Sequence, residues 1–585
     1  MKETWLFLFI WIVYDLKCCS GKRRISREEC DLKLTGAEII IEVLIEQGVT
    51  DLFGYPGGAA LNIYEALYHR QDRIKHYLSA HEQGATHAAD GYARATGKTG
   101  VMLATSGPGA TNTVTGIATA YLDSVPMVII TANVGTSLIG KDSFQEVFIT
   151  GITQPVTKHN YAVRDITKLA DTIRNAFKIA GSGRRGPVLI DVPKDITAAL
   201  CEYTPAERWV EPKAPCAPQS TLQKVADLLA KSKRPVVCFG GGVISSEAGE
   251  ALVAFVKKAR IPTCHTIMGT GVIGFGDDLD MGMLGMHGSM TANHAIDEAD
   301  LLLAMGTRFS DRVALNLRDF APHATIVQFD IDESEIRKNV LVELAVIGDL
   351  KMELQSLIPL VEGKERPEWL ELISKWKKDY DIINGKNITG IRPYEIMEVI
   401  GEKSGSDAVI TTDVGQHQMW AAQFCKKTRP RGFITSGGLG TMGFGYGAAI
   451  GAAVALPGAA VFHITSDGSF HMNMNECCTA VSNKLKVITV IFDNKVLGMV
   501  HQWQNDFYEK HFVATEPERK TDYVKVAEGF GARGFRAETK EALGKAIDEA
   551  LAGEGPAWIV CPISRDEKVL PMIPNGGTVR SAILE

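Results

Sequence analysis

Cys-x-x-Cys pairs, excess positive charge and a membrane-length apolar run are all missing from this chain of 585 residues. Its eleven cysteines are scattered, with no Cys-x-x-Cys pair and no Cys/His spacing of a zinc site. That excludes a small disulfide scaffold. The cysteines are expected to be reduced core residues, and the location cytoplasmic. The net charge of −7 gives no support for nucleic-acid binding. The apolar run Thr4 to Tyr14 falls short of the ~20 residues of a spanning helix. No small-residue cleavage site follows it, and no methionine occurs between Met1 and Met102. Residues 1–31 are set apart as an N-terminal extension of unknown status. No short-period repeat is visible.

What remains is ordinary globular material, 45% hydrophobic, enough for roughly three to four domains. From Leu34 helical and strand patterns alternate, which predicts an α/β protein of three doubly wound parallel-sheet domains. The expected units are 32–197, a Pro-rich linker 198–220, a central unit 221–362, a linker helix 363–390 and a last unit 391–585. Helices are expected at Ala37 to Gly48, Glu82 to Gly97 and Ala110 to Tyr121. Buried strands are expected at Val101 to Thr105, Pro126 to Ala132, Pro235 to Phe239, Leu301 to Met305 and Thr325 to Phe329. Three more are expected at Val409 to Thr412, Ala460 to Thr465 and Val487 to Phe492.

Two of these strands end in chemistry. One runs into Ser466-Asp467-Gly468-Ser469, the other into Asp493-Asn494. An Asp-Gly after a strand is usually only a turn. Two neighbouring strands, however, present a carboxylate and an amide oxygen at their carboxyl ends, where open α/β sheets bind ligands. Such oxygens, with a backbone carbonyl and phosphate oxygens, suit Mg²⁺. The spacing is similar to the Mg²⁺-diphosphate motif of thiamine-diphosphate enzymes. Glu82 opens a helix, which is favourable for an acid without any function. Gly438, Gly440 and Gly443 form a GxGxxG followed by Asp467 at the next strand end. Read alone, that allows a nicotinamide oxidoreductase as the second reading. Met442 reads as core packing, or as an apolar wedge in a cofactor site.

Several longer pieces are more specific: FGYPGG (Phe53 to Gly58), HEQGA (His81 to Ala85), ATSGPGATN (Ala104 to Asn112), SLIGKDSFQE (Ser137 to Glu146) and TKHN (Thr157 to Asn160). GMLGMHG (Gly282 to Gly288), GQHQMWAAQ (Gly415 to Gln423), LGMVHQWQ (Leu497 to Gln504) and LPMIPNGG (Leu570 to Gly577) follow. On these the chain resembles the catalytic large subunits of acetohydroxyacid synthase, the biosynthetic acetolactate synthase. The resemblance implies a pyrimidine-binding, a central FAD-type and a diphosphate-binding domain, with thiamine diphosphate, Mg²⁺ and FAD as cofactors. It implies decarboxylation of pyruvate and transfer of the hydroxyethyl unit to a second 2-keto acid, pyruvate or 2-ketobutyrate. These are steps toward branched-chain amino acids.

Position by position, it makes Glu82 the cofactor-activating acid, and Asp467, Asn494 and the Val496 carbonyl the metal ligands. Val414, Gly415, Gln416, His417, Gly440, Gly468 and Ser469 would surround the thiamine cofactor, with Met442 between its rings. Gly58, Phe144, Gln145 and Lys158 would line the reaction centre from the other subunit. Trp503 would favour 2-ketobutyrate. Arg184, Gly241, Thr266, His287, Gly306, Arg308, Asp330 and Asp349 would contact FAD. A homodimer or tetramer is implied, with a smaller regulatory subunit as a further partner and no nucleic acid.

The chain departs from the family pattern in places. Ser466 replaces the first glycine of GDG, Gly447 a proline, Ser310 an acid of the flavin segment, and Ala132 to Gly135 the common GQVP. The alternatives are a catabolic, FAD-independent acetolactate synthase or another thiamine-dependent keto-acid decarboxylase, and, motivated by Ser466 and Gly447, a non-catalytic paralogue.

Overall fold

The computed structural model describes residues 32–211, 216–274, 276–380, 390–426 and 429–585. The extension 1–31 and parts of both expected linkers lie outside them. Three six-stranded sheets, every ladder parallel, carry the fold. Their central strands are buried on both faces: all seven residues of Met127–Asn133, Pro187–Pro193 and Val487–Asp493 are inaccessible. That is why they read in sequence as continuous apolar runs rather than alternating ones.

With strands numbered in chain order within each unit, the first and third sheets share the order 2-1-3-4-6-5. The middle sheet has the order 3-2-1-4-5-6, that of dinucleotide-binding folds. Each order places a crevice where the winding reverses. In the middle sheet it opens between Pro235–Phe239 and Leu301–Met305. In the third it opens between Val409–Thr412 and Val461–Ser466. A separate two-stranded ribbon joins Leu32–Thr35 antiparallel to Leu200–Tyr203.

Most elements fall where the apolar pattern placed them. The helix expected at Ala110 to Tyr121 does not run through. It is split into Pro108–Thr111 and Val114–Leu122. The Thr113 hydroxyl donates to the Ala110 carbonyl (2.7 Å), and Asn112 turns its amide onto Glu82 (2.9 Å). Side chains that bond locally to the backbone compete with the helical ladder.

The first and third units meet through two helices, Glu82–Thr96 and Phe444–Ala455, packed backbone on backbone. A Cβ on Gly91 would lie 2.2 Å from the Ala448 carbonyl oxygen, and one on Gly451 1.9 Å from that of Ala88. A Cβ on Gly447 would meet the Cβ of His87 at 2.7 Å. Glycine at 447 is therefore required by this contact, which accounts for the loss of proline there. Among the described residues no helix is long and apolar enough to cross a membrane.

Gly451→Ala is expected to lower stability by about 1–3 kcal/mol through overpacking, measured as a fall in the denaturation midpoint. Gly529→Ala, where an added Cβ meets nothing, should leave the midpoint unchanged or slightly raised.

Candidate active site

The third sheet's crevice gathers most of the expected thiamine-site residues. The strand Val409–Thr412 ends in Asp413, Val414 and Gly415, and Gln416 opens the next helix. Gly415 has φ +151, which a side chain would strain. The Gln416 side chain reaches Asn494 (3.4 Å) and donates to Gln502 (3.0 Å). Gly440, at φ +71, sits beside Val414. Ser469 accepts the Gly443 amide (3.1 Å). A Cβ on Gly468 would press on Leu497 at 2.7 Å. Met442 is half-buried in the loop that connects these groups. His417 is buried, and its Nε2 has no partner.

Asp467 and Asn494 stand at the ends of adjacent strands, and Val496 is buried beside them. One oxygen of Asp467, Oδ1, has no hydrogen-bond partner. Burial, with Asp493 nearby, pushes its carboxyl up to about 7. Asp493 is itself paired with Lys495 (2.8 Å). The Asn494 side-chain oxygen accepts the Val496 amide (3.2 Å), which folds the loop so that these groups lie together. A buried carboxylate without a partner is costly, and a hard cation would satisfy it. Among the described residues no cluster of three or more His, Cys, Asp or Glu could hold a metal. A set made of one carboxylate, one amide and one carbonyl does not need such a cluster.

Glu82 belongs to a second group, on the first unit. It is buried, accepts from Asn112 (2.9 Å), and lies against the turn at Gly109. Gly107, at φ +59, packs on the backbone of Gln145. Phe144 is 88% exposed and Gly58 borders open space. Among the described residues no hydrogen bond or ion pair joins Glu82 to Asp467 or Asn494. Lys158 stands apart from this group's polar contacts: its ammonium donates to the carbonyls of Ile179 (2.5 Å) and Ser182 (2.8 Å). Trp503 lies on the helix Gly498–Phe507, its ring against Phe507 at 5.7 Å.

Seven of the eight expected flavin contacts line one cavity of about 430 Å³ at the middle sheet's crevice: Arg184, Gly241, Thr266, Gly306, Arg308, Asp330 and Asp349. Gly306, at φ +60, lies so close to Gly242 that a Cβ would fall 2.6 Å from its Cα. Burial pushes Asp330 up to about 6. Arg184 pairs with Glu335 (2.5 Å) and Asp332 (3.3 Å). His287 does not line the cavity; it is buried, and Gln423 donates to its carbonyl (2.9 Å).

Family models match all three units. The N-terminal TPP binding domain of thiamine pyrophosphate enzymes matches residues 34–152, their central domain 222–357 and their C-terminal TPP binding domain 413–561. A probable acetolactate synthase large subunit of Methanocaldococcus jannaschii is 44% identical, across 94% of this chain and 95% of that protein. The acetolactate synthase large subunit of Porphyra purpurea is 42% identical, across 94% and 96%. Acetolactate synthase 2, chloroplastic, of Nicotiana tabacum is 43% identical, across 96% and 87%. The chain belongs to the acetolactate synthase large-subunit family. The nicotinamide reading is not favoured: the glycine-rich loop lies within the match to the C-terminal TPP binding domain.

Within this family frame, three supporting groups had no visible sequence signal. Asp413 is buried and accepts the Gly445 amide and the Thr465 hydroxyl (both 2.6 Å), with His463 at 3.4 Å. Burial alone would raise its carboxyl, but His463 and Thr465 pull it down to about 2. Tyr446 stacks on His463, with ring centroids 5.3 Å apart. Glu476, from the third unit, accepts the amides of Ala80 (3.2 Å) and His81 (3.0 Å) just ahead of Glu82. The third group surrounds Arg94. Nothing in the structure explains Ser466 in place of glycine.

Asp413→Leu leaves the Gly445 amide without an acceptor and the Thr465 hydroxyl with only the Ser466 carbonyl at 3.3 Å. A loss of about 2–4 kcal/mol in unfolding free energy is expected, read by chemical denaturation.

Proposed function

We propose that the chain is a thiamine-diphosphate-dependent acetolactate synthase. It decarboxylates pyruvate and joins the remaining two-carbon unit to a second 2-keto acid, giving 2-acetolactate or 2-aceto-2-hydroxybutyrate. The observation that carries this is the unpartnered Asp467 oxygen beside Asn494 at the carboxyl ends of adjacent strands. Asp467, Asn494 and the Val496 carbonyl would hold Mg²⁺, which neutralises a diphosphate. Bound there, thiamine diphosphate supplies the electron sink for decarboxylation.

The chain's own residues do the rest. Glu82 would hydrogen-bond the cofactor from the head of its helix, kept in place by Asn112 and by the Glu476 contact behind it. Val414, Gly415 and Gly440 leave room for cofactor backbone contacts. Trp503 offers an apolar wall to the acceptor's extra methyl group, worth about 1–3 kcal/mol. A role for Lys158 in anchoring the acceptor carboxylate requires it to release both carbonyls. The cavity at the middle crevice, with Asp330 at a strand end, suits the ribose and diphosphate of FAD.

The open surroundings of Phe144 and Gly58 support a second copy completing the site, as a homodimer or tetramer. A smaller regulatory partner is carried as a proposal without an assigned surface. A cytosolic location is proposed because Cys238, Cys264 and Cys561 are buried thiols.

The test is acetolactate formation from pyruvate with thiamine diphosphate and Mg²⁺, with and without FAD, beside Glu82→Gln. The expected result is FAD-dependent product, reduced about 10²–10⁴-fold in the variant. FAD-independent product would move the reading to the catabolic relative. Inability to bind thiamine diphosphate would sink it in favour of a non-catalytic paralogue. Metal binding should also depend on pH. A cation needs the ionised form of Asp467, and protons compete for it below about pH 7. Mg²⁺ affinity, titrated calorimetrically, should weaken as pH falls through that range, by up to about tenfold per unit.

A further inference from the structure

Arg94 is a buried cation that none of the assigned roles uses. It projects from the helix Glu82–Thr96 and is flanked by two carboxylates, Asp90 and Asp123, both almost wholly inaccessible. It pairs with Asp90 and reaches Asp123 at 2.9 Å. It also donates to the Thr435 carbonyl (2.9 Å), and its guanidinium lies 5.2 Å from the centre of the Phe444 ring. Thr435 and Phe444 bracket the glycine-rich loop.

Asp123 holds the middle of the same loop. Its two oxygens accept the amides of Gly438 (2.7 Å) and Gly437 (3.1 Å). Asp123 and Gly437 also line the 430 Å³ cavity. Arg308, another wall residue, crowds the same spot: a Cβ on Gly438 would fall 2.8 Å from its guanidinium and 2.8 Å from Asp123. Further along, Thr441 shares a hydroxyl pair with Thr119 (2.7 Å). The loop between strand and helix is thus held by the first unit and forms part of the cavity wall.

The charges concentrate this attachment on one side chain. Two buried carboxylates face one guanidinium, so Asp123 depends on the loop amides for the rest of its stabilisation. Moving the loop would take both amide donors from Asp123 and leave Arg94 as its remaining ion-pair partner.

We propose that Asp123 is a positioning residue that couples the two cofactor sites. A flavin dinucleotide seated in the cavity fixes the Asp123–Gly437–Gly438 contact. The stiffened loop then presents Gly440 and Met442 in the form that binds thiamine diphosphate. This rests on the flavin and thiamine reading above. Coupling of this kind is reciprocal, so each cofactor tightens the other.

The experiment uses the full chain stripped of cofactors. FAD binding is established first, by quenching of flavin fluorescence. The dissociation constant for thiamine diphosphate with Mg²⁺ is then measured calorimetrically, with and without saturating FAD. In the wild type, FAD should tighten it at least about fivefold. In Asp123→Asn, with its own FAD dissociation constant measured and FAD raised to saturation, the ratio should fall close to one. A merely structural role would weaken both values and leave their ratio. In parallel, hydrogen exchange on the wild type with FAD alone should slow the amides of residues 437–442. That arm decides even if the variant does not fold. FAD binding that leaves both the ratio and those amides unchanged overturns the coupling but not the flavin reading. No FAD binding at all overturns both.

Discussion

Backbone contact between two helices sets the position of everything else in this site. Gly447 and Gly451 are four residues apart and share a face of Phe444–Ala455. They meet Gly84 and Ala88 of Glu82–Thr96, and Ala448 meets Gly91, so closely that carbonyl oxygens occupy the space of absent side chains. A packed interior of this density does not deform gradually. Glu82 at the start of one helix and Gly443 ahead of the other are therefore fixed relative to each other. The Gly447 departure fits the same constraint: the glycine clears His87 while the neighbouring Tyr446 ring packs on His463.

Two aspartates at equivalent strand ends have opposite surroundings. Asp413 is satisfied by an amide, a hydroxyl and a histidine, and its carboxyl is driven down. Asp467 is as deeply buried, has an oxygen with no partner and another acid nearby, and is driven up. Groups pushed apart in this way usually have different tasks. Asp413 braces the start of the helix Phe444–Ala455 against the strand Val461–Ser466, while Asp467 keeps an oxygen free.

The strands were legible because buried parallel strands leave long apolar runs, and Asp467 and Asn494 because they end two such runs. Glu82 was legible only through a resemblance, since an acid at a helix start is common. The strand orders could not be read from the chain, because crossovers leave no local mark. Nor could the Arg94 group: its bond to Thr435 spans 341 positions. The break at Asn112 was missed because neither the Thr113 bond to the Ala110 carbonyl nor the Asn112 bond to Glu82, 30 residues away, marks the apolar pattern. His287 carried the family's motif, yet lies outside the cavity that collects the other seven residues.

The Glu476 contact bears on how the protein is made. The amides of Ala80 and His81 find their acceptor 396 and 395 positions later. During synthesis the first unit emerges and folds long before that carboxylate exists. Its glycine-lined helix face and the two amides must wait, exposed to water, until the last unit arrives. The contact between the first and third units is thus a product of docking between finished units. Nascent chains stalled before residue 476 would present a surface that invites chaperones or misassembly.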